Sequence, residues 1–195
     1  MGARREELVE RATDWVLGNG LLGLSLRPLA AALGTSDRML IYHFGSKEQL
    51  IVDVLRCSAE RSAAELRSLA PSLSPHQAVF DQWRLRTTES QSQCERVYVE
   101  ASTLGLFGQQ PYAAEVAAMN AVWMEAVRLH LVASGVPEAR SREIAELVEA
   151  TFMGFELDRP FLSAQPPALA ALAQAVSSLA AAEPRSDDAN TSAMP

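Results

Sequence analysis

Between residues 8 and 182 apolar side chains recur every three or four positions, and no stretch alternates apolar and polar residues as a half-buried strand does. The first such pattern runs through Leu8, Ala12, Trp15, Val16 and Asn19, and Gly18 and Gly20 stop it. Ser25 is placed to cap a second, short helix through Leu29, Ala30 and Leu33, closed by Gly34. Pro28 falls in its first turn, where a missing N–H costs little. Thr35 or Ser36 caps a third helix that ends at Phe44-Gly45. Ser46-Lys47-Glu48-Gln49 is a capping-box pattern and opens a long fourth helix to about Ala70. At a rise of about 1.5 Å per residue that helix is roughly 36 Å long.

Beyond Pro71 the periodicity predicts helices at about 75–90, 92–106, 112–134, 138–157 and 166–182. The fourth of these has a sharp stripe of Ile144, Leu147, Val148, Thr151, Phe152 and Phe155. The last is alanine-rich, and its small side chains let helices approach closely, as an intersubunit four-helix bundle requires. The helix at 112–134 is apolar nearly all round, which predicts a place in the middle of a bundle. Residues 183–195, polar and proline-flanked, are expected to form a disordered tail.

Composition narrows the class. Hydrophobic residues make up 48% of 195, enough for a sizeable core. No charged-then-apolar leader opens the chain, and no apolar run approaches the roughly 18 residues that span a bilayer, so a cytoplasmic protein without a membrane partner is expected. Cys57 and Cys94 lack motif spacing and read as free thiols. No histidine or cysteine shows metal-ligand spacing, so no metal and no cofactor are expected. There is no glycine-rich phosphate loop and no Gly-x-Ser-x-Gly elbow, and an enzyme is not expected.

The net charge of -7 is unevenly spread. Residues 1–50 carry six basic and six acidic side chains; the remainder carries eleven basic and eighteen acidic. A phosphate-binding surface is therefore confined to the first part, and requires its cations to share a face.

Two short helices joined by a tight glycine turn, the second polar at its front, form a helix-turn-helix pattern. Leu29 and Leu33 are placed to meet Leu40 and Phe44, with Ala30 permitting a close crossing. That arrangement leaves Thr35, Ser36, Asp37, Arg38 and Tyr42 facing outward, near a helix N-terminus that itself favours phosphate. The stretch LRPLAAALGTSDRMLIYHFGSKEQLI closely resembles the DNA-binding segment of the tetracycline-repressor (TetR) family of transcriptional regulators. The matching residues are Leu29-Ala30, Leu33-Gly34, Tyr42-His43-Phe44 and Ser46-Lys47-Glu48-Gln49-Leu50, and the resemblance covers roughly residues 5–60.

The resemblance implies an all-α chain with an N-terminal three-helix helix-turn-helix DNA-binding domain. This is joined to a larger helical ligand-binding and dimerisation domain. It implies a DNA-binding domain over 1–45, a ligand and dimer domain over 46–182 with 46–70 as its connecting helix, and the tail over 183–195. His43 and Lys47 would contact phosphates, Arg27 a phosphate or base edge, and Tyr42 would enter the major groove. Ile41 replaces a tyrosine that makes a phosphate contact in the family. Arg38 suits a bidentate pair with guanine. Asp37 either accepts from cytosine or serves only as a helix-N-terminal charge. Arg4 and Arg5 either form an arm onto DNA or pair with Glu6 and Glu7.

The implied partners are a double-stranded DNA operator, a second copy of the chain through the last two helices, and a small-molecule effector. Residues expected to line the effector pocket are Trp83, Arg86, Tyr98, Phe107, Met119, Asn120, Trp123 and Phe152. Their character suits an apolar or aromatic ligand. The expected function is a dimeric repressor released by that ligand. The rivals are a ligand-independent regulator or activator of the same fold, and a helical carrier without DNA binding.

Overall fold

The computed structural model describes residues 2–158 and 166–182; the expected tail at 183–195 lies outside them. Among the described residues there are nine helices and no strand. They are α1 (Gly2–Asn19), α2 (Leu26–Ala32), α3 (Asp37–Phe44), α4 (Lys47–Arg67), α5 (Pro75–Arg86), α6 (Glu89–Leu106), α7 (Tyr112–Ala133), α8 (Glu138–Leu157) and α9 (Pro167–Ala181).

Local chemistry sets the boundaries. The Ser36 hydroxyl accepts from the Met39 N–H at 3.3 Å, so Ser36 rather than Thr35 caps α3. The Ser46 hydroxyl accepts from the Gln49 N–H at 3.0 Å and opens α4. Ser25 flanks α2 without a side-chain capping bond. The helix expected at 75–90 ends at Arg86, because Thr88 caps the next one through the Gln91 N–H at 3.4 Å.

The chain forms two compact units, Met1–Ser68 with Leu85–Ala126 and Leu69–Arg84 with Val127–Pro195. In the first, α1 packs on α2, α4 and α6, while α3 packs on α2 and α4. Its core joins Leu8, Val16, Leu29, Leu40, Leu55 and Val97. The four expected contacts of the helix-turn-helix, Leu29, Leu33, Leu40 and Phe44, are all buried. In the second unit α8 packs on α9, with Ile144, Val148 and Phe152 inward from one and Leu169, Leu172 and Val176 from the other. A buried polar group lies there too: Gln82 reaches His130 Nδ1 at 3.0 Å, and His130 Nε2 reaches the Ala70 carbonyl at 3.3 Å.

Helix α7 departs from its expected place. Tyr112, Glu115, Met119, Ala126, Val127 and Leu131 are buried, but Val122 and Leu129 are exposed. Alanines at 113, 114, 117, 118 and 121 raise its hydropathy without filling space, and all five are exposed. By length and composition alone α7 is apolar enough to cross a membrane, contrary to the sequence expectation, yet it carries Glu115, Glu125 and Arg128.

Candidate nucleic-acid interface

The surface of α3 follows from its two buried residues. Leu40 and Phe44 point inward, and at about 100° per residue Arg38 and Tyr42 then fall on the opposite pole. Met39 and Ile41 occupy the two flanks. Exposure agrees: Tyr42 is 66% exposed, Met39 41% and Ile41 38%. The Tyr42 ring meets the half-buried His43 ring edge-on at 5.3 Å. Asp37 is exposed in the first turn, where the helix dipole favours a carboxylate. Thr35 is half-buried and its N–H donates to the Ala30 carbonyl at 2.9 Å. Ser36 is exposed but its hydroxyl is committed to the cap.

Electrostatically, the first fifty residues are neutral only on average. Arg4 pairs with Glu7 at 2.7 Å, and Arg11 donates to the Leu33 carbonyl at 2.9 Å. Arg5 pairs with Asp53 and lies over the Phe44 ring at 5.4 Å. Arg61 of α4 holds Glu10 and Asp14. These contacts use Arg5 to brace the α3–α4 corner, not as an arm. They also neutralise acidic side chains of α1. Arg27, Arg38 and Lys47 form no ion pair among the described residues, and each stands in the first turn of α2, α3 or α4. Helix N-termini carry partial positive charge and free N–H groups, so each cation adds to the positive end of its own helix. The Glu48 carboxyl is held below the usual carboxylate range by its own backbone N–H, then by the Ser46 hydroxyl.

Behind this surface, α6 grips the α1–α2 turn. A Glu100 carboxylate oxygen accepts from the N–H groups of Leu21 and, at 3.0 Å, Leu22. Arg96 donates to the Leu17 carbonyl and lies 3.9 Å from Glu100. Arg56 of α4 makes two bonds to Glu115 of α7, at 2.9 and 3.0 Å. None of these long-range pairs has a sequence signal, because the partners lie 59 to 79 residues apart. Met39 was visible: a helical wheel centred on Leu40 and Phe44 places it beside Tyr42.

The residues expected around an effector separate into three groups. Arg86 is buried in the first unit, 3.3 Å from Glu95 and 5.1 Å from the centre of the Trp123 ring. Met119 and Tyr98 belong to the core of that same unit. Trp83 and Phe152 meet in the second unit at 5.3 Å, with Phe155 beside them. Phe107 and Asn120 are not brought in. Phe107 is the C-cap of α6 and 79% exposed, since the chain leaves the helix there. Asn120 is exposed because its neighbour Met119 takes the inward position on α7. Burial pushes up the thiols of both Cys57 and Cys94, which suits inert packing. Among the described residues no group of three or more His, Cys, Asp or Glu side chains is placed to hold a metal.

Residues 8–54 match the family model of bacterial regulatory proteins of the tetR family. The HTH-type transcriptional regulator RutR of Escherichia coli (strain K12) is 30% identical over 104 residues, which cover 53% of this chain and 47% of RutR. The chain thus spans about half the length of the curated relatives it matches. Among solved structures, SCO7518 from Streptomyces coelicolor A3(2), assigned as a transcriptional regulator, superposes with a TM-score of 0.67 at 21% identity. That match covers 92% of this chain and 99% of the other. The multidrug binding protein EbrR, complexed with imidazole, gives 0.65 at 20% identity over 92% of this chain and 90% of its own. Over 92% of its length the chain therefore has the fold of these solved structures, and its segment 8–54, which holds the helix-turn-helix, is similar to the bacterial regulatory proteins of the tetR family.

Proposed function

We propose that the protein is a sequence-specific, DNA-binding transcriptional regulator that acts as a homodimer and represses until a small apolar or aromatic ligand releases it. The observation that carries the DNA-binding part is the exposed pole of α3, Arg38 and Tyr42, with Arg27 and Lys47 in the first turns of α2 and α4 on either side of α3 in the chain. In this reading residues 1–45 bind DNA and 46–182 hold the ligand and the dimer contact. Lys47 and His43 hold phosphates, while Arg38 and Tyr42 enter the major groove. Two copies, joined through α8 and α9, present their α3 helices to successive grooves about 34–36 Å apart. The exposed alanines of α9 and the exposed Leu147 and Leu157 of α8 support that choice of interface.

The ligand acts by favouring one of two dimer conformations, and only its differential affinity shifts them. Arg86, Trp123, Tyr98 and Met119, all of the first unit, are the side chains we assign to its site. The neighbour EbrR, a multidrug binding protein complexed with imidazole, supports a small-molecule ligand.

Selection of bound DNA from a random pool tests the reading. The wild-type chain is expected to enrich a near-palindromic sequence, and Tyr42→Ala to enrich a different one or none. Identical sequences from both would show that Tyr42 does not read bases. No enrichment by the wild type would overturn the DNA-binding reading.

A further inference from the structure

We infer that Met39 is a specificity-determining residue and that, with the Tyr42 ring, it reads the C5-methyl groups of thymines in the operator. The inference rests on the DNA-binding reading above. It starts from an imbalance on the surface of α3. Leu40 and Phe44 already meet that helix's need for burial, being 1% and 4% exposed. The same eight-residue helix nevertheless leaves Met39 at 41% and Tyr42 at 66% exposed. These two are three residues apart and share a face, so their apolar surfaces form one patch.

The patch is held in position. The Met39 N–H donates to both the hydroxyl and the carbonyl of Ser36, at 3.3 and 2.9 Å, which fixes the first turn from which the thioether projects. Tyr42 is braced edge-on by His43. Lys47 and Arg27, in the first turns of α4 and α2, are the cations available to hold the phosphate backbone while α3 lies in the groove.

A thioether donates no hydrogen bond and accepts one only weakly. In the major groove thymine is the base that offers an apolar group, its C5-methyl; the other edges present donors and acceptors that a methionine would leave unsatisfied. The chemistry of Met39 therefore selects thymine, and Arg38 beside it is the donor suited to guanine.

The test uses the full chain and an operator enriched from a random pool. Each thymine is replaced in turn by deoxyuridine, which removes the methyl and nothing else. The wild type is expected to lose about fourfold in affinity at one or two positions per half-site, the worth of one buried methyl-sized group. Met39→Ala should bind the natural operator more weakly and lose the deoxyuridine penalty at its position, with its salt dependence unchanged. Met39→Leu should keep the penalty. Because Met39 is exposed, all three proteins should have the same helicity and melting temperature. Wild-type affinity indifferent to every deoxyuridine overturns the inference, as does an undiminished penalty in Met39→Ala. A change of oligomeric state in Met39→Ala also overturns it, assigning the patch to a contact between chains. A pool from which nothing is enriched overturns the DNA-binding reading itself, and this inference with it.

Discussion

His130 shows how much a single side chain depends on the company it keeps. Its Nε2 faces a carbonyl, that of Ala70, and its Nδ1 faces the Gln82 amide, so the neutral ring with its proton on Nε2 satisfies both. Burial pushes its pKa down, more than the Ala70 carbonyl and Asp81 raise it. With the folded-state pKa below the unfolded one, protonation favours the unfolded chain. Stability is then complete above the ordinary histidine range and falls as pH drops through it, levelling off once the folded ring also takes up its proton. Thermal unfolding between pH 8 and pH 5 should show this loss, and His130→Asn should flatten it. An unchanged slope in the variant would mean that other groups set the pH dependence. Arg5 teaches the same lesson: its sequence position suits an arm onto DNA, yet Asp53 and Phe44 take it up.

At the scale of elements, the α1–α2 turn is where backbone conformation and long-range contact coincide. Gly20 has φ +89, and a Cβ there would sit 3.0 Å from Glu100 Oε1 and 3.2 Å from the Oε2 that accepts from the Leu21 and Leu22 N–H groups. Gly34 has φ +67 with open space around it. Alanine at Gly34 should cost about 1–2 kcal/mol from conformation alone. Alanine at Gly20 should cost about 1.5–3 kcal/mol more, because it also displaces a charged acceptor from two backbone N–H groups. Urea unfolding of both variants, with amide exchange at Leu21 and Leu22, measures the difference. Equal costs would show that the Glu100 link contributes nothing to stability. The boundaries of these elements were legible in advance where they rest on caps: Ser46 with Gln49, and the glycines after α1, α2 and α3. They were missed where two caps compete, as Thr88 does in ending the expected helix at 75–90 early. The one-sided burial of α7 was missed because alanine counts as apolar in any periodicity yet needs no partner.

For the whole molecule, charge is the property that the fold rearranges most. The chain carries -7 overall, and the intramolecular pairs of Arg4, Arg5, Arg11 and Arg61 leave few cations for a partner. Operator affinity should therefore fall with salt on a modest slope, equivalent to about 4–8 phosphates per dimer. Lys47→Ala should reduce that slope by about one for each copy. Affinity measured across salt concentrations decides it, and an absent salt dependence would end the groove model. The helical class, the helix-turn-helix and the outward pole of α3 were determined by sequence alone. They depend on caps, glycines and apolar spacing within a few residues, where the backbone leaves little choice. Which arginines stay available, why Phe107 and Asn120 face solvent, and where Glu100 and Glu115 find their partners were decided only by the tertiary structure. Those pairings join residues far apart in the chain, and only the packing of helix on helix brings them within reach.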